Sequence, residues 1–144
     1  MKGKFIVFYG INRLGKSTQI EIVQSKLSEE GTRVQTLKYP VYDLEPTGPR
    51  INAYLRKGNP EKLNPTQFQR LQLENKFDYQ PFLTKRLESG VWILAEDYAF
   101  TGIAWGISTG VSESWLKRES EKLLKEDFGI LFDGEPFTYK EENH

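Results

Sequence analysis

The chain has 144 residues, with 20 Lys and Arg balanced by 20 Asp and Glu, no cysteine, and one histidine at its last position, His144. This length is that of one domain, and a formal charge of zero gives no global pull toward nucleic acid or an anionic membrane. Disulfides, thiol nucleophiles and thiolate metal sites are excluded by composition, and a sole terminal histidine argues against a Ser-His-Asp hydrolase or a histidine-built zinc site.

The start, Met1-Lys2-Gly3-Lys4 before a short apolar run, lacks the pattern of a signal peptide. No stretch approaches the roughly 20 apolar residues of a membrane helix. The expected location is the cytoplasm, with no membrane partner and no nucleic-acid polymer as partner.

Residues 4–9 form a continuous apolar, β-rich run, the pattern of a strand covered on both faces as in a parallel sheet. From Lys16 the pattern turns helical, with Ile20, Val23 and Leu27 at spacings of three and four, and Gly31 is a helix stop. Residues 33–39 read as a second strand, which completes a β-loop-α-β unit. A Pro- and Gly-rich loop is expected over 40–49, then a short helix over 50–57 ended by Gly58. Asn64-Pro65 is a strong helix start, cap followed by proline at the first helical position. That helix is expected to run to about Ser89, with Pro81 either kinking it or splitting it in two.

Residues 91–95 are a third buried-strand candidate, followed at the C-terminal end by Glu96-Asp97-Tyr98. The stretch 101–111 carries Gly102, Gly106 and Gly110 and is expected to be helical only in part. Ser112 caps a helix expected over 113–127, with Trp115, Leu116, Leu123 and Leu124 as its apolar stripe. Residues 129–133 are a fourth short strand, and 134–144 is a polar tail. Strands alternating with helices predict an α/β fold with a parallel sheet, whose ligands sit beyond the C-terminal ends of the strands.

The chemistry concentrates after the first strand. Gly10-Ile11-Asn12-Arg13-Leu14-Gly15-Lys16-Ser17 matches G-x-x-x-x-G-K-[ST] in full. Its glycines let the backbone curl so that consecutive N–H groups converge on phosphate oxygens, and the following helix offers the same anion its positive end. Lys16 then reaches the β- and γ-phosphates, and Ser17 Oγ ligates Mg²⁺. The bland alternative is a chance string in a turn, which the preceding strand and following amphipathic helix argue against. Arg13 reads either as a solvated charge or as an arginine supplied in cis to the transferred phosphoryl group.

The run FIVFYGINRLGKSTQI resembles the N-terminus of thymidylate kinases, P-loop enzymes that phosphorylate dTMP with ATP. The resemblance continues through Tyr39-Pro40, INAYL at 51–55, Glu74-Asn75-Lys76-Phe77, and the stretch from Glu96-Asp97-Tyr98 through Thr101-Gly102 to Trp105. It covers about residues 4–133, and the xDYxxTGxAW stretch is what points to this family among P-loop proteins.

That resemblance implies a three-layer P-loop NTPase fold, helices on both faces of the sheet, with 1–144 one kinase domain shortened at its C-terminus. The implied reaction is transfer from MgATP to a pyrimidine deoxynucleoside monophosphate, dTMP to dTDP. Gly10, Ile11, Asn12, Arg13, Leu14, Gly15, Lys16, Ser17 and Thr18 would hold the ATP phosphates. Lys16, Arg13 and Glu96 would be catalytic, and Ser17 and Glu96 would hold the metal. Tyr39, Arg50, Phe68, Gln72, Asn75, Lys76, Tyr98, Thr101, Gly102 and Trp105 would meet the acceptor nucleotide. Members are commonly dimers, so a homodimer is a further expectation.

Several positions depart from the family pattern. Asp97 stands where an arginine is usual, Asn12 where an acid is usual, and Gln72 where a phenylalanine stacks on thymine; Phe68, one turn earlier, is its possible substitute. Lys76 takes an arginine's place, and Arg50 and Arg56 are candidates for the arginine of the loop after the second strand. The lid and adenine-side segments of the family do not fit in residues 134–144, so either the chain is truncated or its adenine side is incomplete. Alternatives of simpler kind stay open: Trp105 and Phe77 as core, Asn75 and Lys76 as an exposed helix face. Two further functions stay open as well, a non-catalytic nucleotide binder and a deoxynucleoside kinase with Glu96 as base.

Overall fold

A computed structural model describes residues 1–11 and 15–134. The elements in chain order are β1 (Phe5–Tyr9), α1 (Lys16–Glu29), β2 (Val34–Lys38), α2 (Thr47–Arg56), α3 (Pro65–Glu88), β3 (Trp92–Glu96), α4 (Ala99–Ser108), α5 (Glu113–Ser120) and β4 (Phe128–Leu131). They fall into two compact units. The first comprises Met1–Lys38, Lys85–Asp97 and, among the described residues, 126–134; the second comprises Tyr39–Thr84 and Tyr98–Lys125.

The first unit holds a parallel four-stranded sheet in the order β2-β3-β1-β4. The chain leaves β1 toward β2 and later returns from β3 across β1 to β4, so the direction of winding reverses at β1 and β3. The ends of these two strands are therefore where an α/β sheet takes its ligand. Both central strands are apolar because both of their faces are buried: Val7, Ile93 and Ala95 on one, Phe8 and Leu94 on the other. Ile20 of α1 packs with Phe8 and Leu94, and Val23, Leu27, Ile6 and Val34 surround them, so the helical stripe legible in the sequence is the one used. Each such apolar side chain contributes roughly 1.5–3 kcal/mol of burial. Gly31, with φ of 85°, ends α1 as expected, donating to Ser28 O while Thr32 N–H donates to Leu27 O.

At the opposite edge β4 is registered by Asp127. Its N–H donates to Phe5 O at 2.8 Å, and its carboxylate accepts Phe5 N–H at 2.7 Å. All four residues of β4 are exposed, Leu131 at 73%.

The second unit is helical. Its core gathers Ile51, Phe68 and Leu71, with Tyr42, Tyr54 and Leu63 against them. Asn64 caps α3 as expected: its Oδ1 accepts Gln67 N–H, and Gln67 Oε1 accepts Asn64 N–H, a reciprocal box.

Two boundaries, those of α2 and α5, differ from expectation, and the open readings of α3 and α4 are decided. The helix α2 starts at Thr47, inside the expected loop, because Pro49 falls in its first turn, where a missing N–H costs nothing. The helix α3 is not split at Pro81; that residue is exposed, so water can satisfy the carbonyl its ring leaves unbonded. The stretch 101–111 is helical only in part, as expected: α4 covers it as far as Ser108, and Gly110, at φ 88°, lies beyond the helix. A Cβ at Gly106 would lie 2.6 Å from Leu116 Cδ1, so the absence of a side chain is what lets α4 meet α5. Finally, α5 stops at Ser120 rather than near 127. Leu124 N–H instead donates to Gln80 Oε1 at 2.8 Å and Leu124 O accepts from Tyr98 Oη at 2.7 Å, so side chains replace the helical partners there.

Candidate functional site

In the first unit, β1 ends at Tyr9 and the chain turns at Gly10, whose φ of 144° only glycine adopts readily. Gly15, at φ 82°, is the N-cap of α1, and among the described residues no side chain caps this helix and no acid occupies its first turn. The first-turn amides are left for an anion. Lys16 opens the helix and is 4% exposed. Its ammonium donates to Gly10 O, which draws the lysine back toward the end of β1, and to Asp97 Oδ1 at 3.1 Å. Asn12, Arg13 and Leu14 lie outside the described residues; Ile11 is exposed and Thr18 half-buried.

Register brings the third strand's acids to the same place. Phe8 pairs with Glu96, and Asp97 N–H donates to Phe8 O at 3.1 Å. The Glu96 carboxylate oxygens each lie 3.4 Å from Ser17 Oγ, which donates to them. Lys38 Nζ approaches Glu96 Oε2 at 3.9 Å from an exposed position. Ser17, Glu96 and Lys38 also border a cleft of about 270 Å³ beside α1, with Glu21, Gln24 and Thr36 among its walls.

Ser17 and Glu96 suit Mg²⁺: a hydroxyl and a carboxylate oxygen are hard donors, and this ion takes one or two protein ligands with the rest from phosphates and water. Among the described residues no group of three or more His, Cys, Asp or Glu could hold a metal alone, so the phosphates would have to complete the shell.

In the second unit the expected acceptor residues divide. Lys76 is 4% exposed and points at α4: a Cβ at Gly102 would lie 3.9 Å from Lys76 Nζ and 3.5 Å from Gln69 Oε1. Asn75 is fully buried. Its Oδ1 accepts Val41 N–H at 2.8 Å, and its Nδ2 donates to Val41 O and to Thr47 Oγ1, each at 2.9 Å. The exposed-face reading of this pair is therefore wrong. Phe68 stacks on Tyr54 with centroids 3.6 Å apart at 9°, so one ring face is committed to the core. Gln72 is half-buried, and Trp105, 63% exposed, is not core. Thr101 Oγ1 accepts Tyr98 N–H at 3.3 Å at the start of α4. Arg50 forks onto Glu61, with Nη2 to Oε1 at 2.9 Å and Nε to Oε2 at 3.0 Å. This bond raises the arginine's pKa and lowers the carboxyl's.

The chain's likeness to known proteins agrees with this geometry. A family model for thymidylate kinase matches residues 8–141. The chain belongs to the thymidylate kinase family. It is 27% identical to a thymidylate kinase of Schizosaccharomyces pombe over 94% of its own length and 30% identical to one of Homo sapiens over 91%. A solved thymidylate kinase from Candida albicans superposes with a TM-score of 0.74 at 26% identity over 92% of this chain. The chain spans about three-fifths of each relative: 63%, 60% and 63% of their lengths. Among the described residues no helix is long and apolar enough to cross a membrane.

Within this thymidylate kinase family member, sequence reading missed two contacts. One is Gln69, 4% exposed beside Gly102; its place seven residues before Lys76 on one helix face was the available signal. The other is the pairing of Lys16 with Asp97, for which spacing offers no signal.

Tyr39 carries a prediction of its own. It is 3% exposed, packs edge-on to Tyr79 and tilted on Tyr98, and among the described residues its hydroxyl has no hydrogen-bond partner. Burial, followed by the charges Tyr98 and Tyr79 would carry, raises its pKa far above the ordinary 10.0. Tyr39→Phe is expected to stabilise the fold by about 1 kcal/mol, since it removes an unsatisfied buried group and keeps the ring. The sign with pH is set: the phenol ionises in the unfolded chain before the folded one, so stability present below pH 10 is lost as pH rises above it. Urea melts at pH 8 and pH 11 test this; the loss between the two should shrink in the variant.

Proposed function

We propose that the protein transfers the γ-phosphoryl group of MgATP to the 5′-phosphate of a pyrimidine deoxynucleoside monophosphate, most specifically dTMP, yielding ADP and dTDP. One arrangement carries the reading: the uncapped, glycine-started N-terminus of α1 with Lys16 behind it and Ser17 facing Glu96, in a member of this family. The first-turn amides of α1 and Lys16 would hold the β- and γ-phosphates. Arg13, from inside the loop, would neutralise charge on the transferred group. Ser17 and Glu96 would hold Mg²⁺, which would supply charge neutralisation to the polyphosphate.

The reaction breaks the bond from the γ-phosphorus to the β–γ bridging oxygen and forms one to an acceptor phosphate oxygen. That oxygen is already ionised, so no base is required and no covalent enzyme intermediate arises. Lys76, a buried cation, is the residue best suited to the acceptor phosphate, with Gln69 and Gly102 beside it. Tyr39, Gln72, Tyr98, Thr101 and Trp105 complete the proposed acceptor set. Arg50, Phe68 and Asn75 have their groups engaged within the fold and carry less of the proposal. The same proposal includes residues 1–144 as one kinase domain, a cytoplasmic location and a homodimer; sedimentation equilibrium of the purified protein reads the last.

A coupled assay of ADP release tests the reaction, with dTMP, dUMP, dCMP and thymidine as acceptors. ADP release that depends on dTMP supports it. Release with thymidine alone would assign a nucleoside kinase, and ATP binding without turnover on any acceptor a non-catalytic binder.

A further inference from the structure

One buried amide of the helical unit is not used by the fold. Gln69 on α3 is 4% exposed, and among the described residues its side chain makes no hydrogen bond. Of the fully enclosed polar side-chain atoms among the described residues, only Tyr39 Oη lacks a partner. The tip of Gln69 therefore reaches accessible space while its stem is packed away. An amide in such a place is costly to leave unbonded, and a ligand that fills the space can bond it.

The surroundings orient the amide. A Cβ at Gly102 would lie 3.5 Å from Gln69 Oε1 and 3.9 Å from Lys76 Nζ, and Nε2 is not within 4 Å of that point. The carbonyl end is thus the one turned to the ammonium side, as an acceptor beside a cation should be, and Nε2 with its two protons is left for a ligand. A neutral amide suits the uncharged edge of a base better than a phosphate. Trp105, three residues after Gly102 on α4 and 63% exposed, offers a ring face on which a flat base can stack. Pyrimidines differ at position 4, where thymine and uracil carry an oxygen that accepts and cytosine an amino group that donates. Opposite Nε2, that amino group would set donor against donor and leave both unpaired.

We propose that Gln69 is a specificity-determining residue of the acceptor site: its Nε2 donates to the 4-keto oxygen of a pyrimidine, so that keto pyrimidine nucleotides are taken and the 4-amino pyrimidine is refused. The inference rests on the reading of the protein as acting on a pyrimidine nucleotide, and it names the side chain that selects the base.

The test is calorimetric titration of the wild type, Gln69→Met and Gln69→Glu with dTMP, dUMP and dCMP, beside turnover with MgATP on the same acceptors. Thermal melts verify that the variants fold; methionine keeps the length of the side chain and removes only its polar tip. The wild type is expected to bind dTMP and dUMP more tightly than dCMP by about tenfold or more, the worth of one base-edge contact. In Gln69→Met both keto nucleotides should weaken by about tenfold while dCMP changes by less than about threefold, so the preference collapses. Gln69→Glu, an acceptor without donors, should turn the preference toward dCMP. A merely structural role would weaken all three nucleotides alike, and that result, or a wild type without preference, or variants that keep it, overturns the proposal while turnover keeps the kinase reading intact. Selective binding that the variants abolish, without turnover on any acceptor, overturns the kinase reading and upholds the role of Gln69. A folded wild type that binds none of the three overturns both.

Discussion

Alanine at Lys16 is expected to weaken MgATP binding by about 10- to 100-fold, the worth of one charge-assisted hydrogen bond, and to lower kcat/KM by about 10³, the cost of removing one preorganised donor from developing charge. The argument starts in the local structure. Gly15 starts α1 without a side-chain cap, and the ammonium of Lys16 lies against Gly10 O and Asp97 rather than out in solvent. It is held by these two acceptors before any ligand arrives, so little rotamer entropy is left to lose on binding. The fold should tolerate the change: the Asp97 side chain is 19% exposed and can be hydrated where the ammonium was. Lys16→Arg, a planar fork in place of a point charge, should restore binding only in part. The double variant with Asp97→Asn should be non-additive, because the two groups share one contact. Unchanged ATP affinity in Lys16→Ala would remove the phosphate site from this loop.

Asn75→Ala is expected to destabilise the protein by about 3–5 kcal/mol, since it breaks three hydrogen bonds of a fully buried amide and strands their partners. At this chain length that lowers the melting temperature by about 8–15 °C. The amide of Asn75 acts as a clamp. It satisfies both the N–H and the C=O of Val41, as a neighbouring strand would, and it holds Thr47 at the start of α2. The loop between β2 and α2 is thereby fastened to the middle of α3. Asn75→Asp should be no milder, because a carboxylate keeps one acceptor, loses both donors and is buried as an anion. Hydrogen exchange supplies the local readout: the Val41 amide should lose protection in both variants before the core strands do. Loss of acceptor affinity with stability intact would instead make Asn75 a substrate contact.

These two residues show what kinds of information the sequence carries. Lys16 was legible because everything that defines it lies within ten residues: an apolar strand, glycines where the backbone must curl, and a helix of period 3.6 behind them. The start of α3 at Asn64-Pro65 and the end of α1 at Gly31 were legible for the same reason, as local hydrogen-bond and backbone requirements. Asn75 was placed on the right helix, but its partners are 34 and 28 residues away, and no periodicity reports a hydrogen bond across that separation. The glycines at 102, 106 and 110 argued for helix over only part of 101–111, and α4 does end at Ser108, but the close contact of Gly106 with Leu116 is a matter of packing between two helices that no local pattern reports. Phe68 is a candidate to stack on a base, and its own stack on Tyr54, which commits one face of the ring, is a contact between two helices that no spacing reports.

By itself, then, the sequence determined the parallel α/β pattern, the phosphate-binding turn and the family, because these follow from near-neighbour geometry and from motifs with fixed spacing. Only the tertiary structure decided which charges meet. The parallel register of β1 against β3 sets Phe8 beside Glu96 and ties Asp97 to Phe8 O, and so brings a carboxylate to a lysine 81 positions earlier. That register is fixed by burial of both strands' faces at once, a cooperative outcome of the whole sheet rather than of any segment within it.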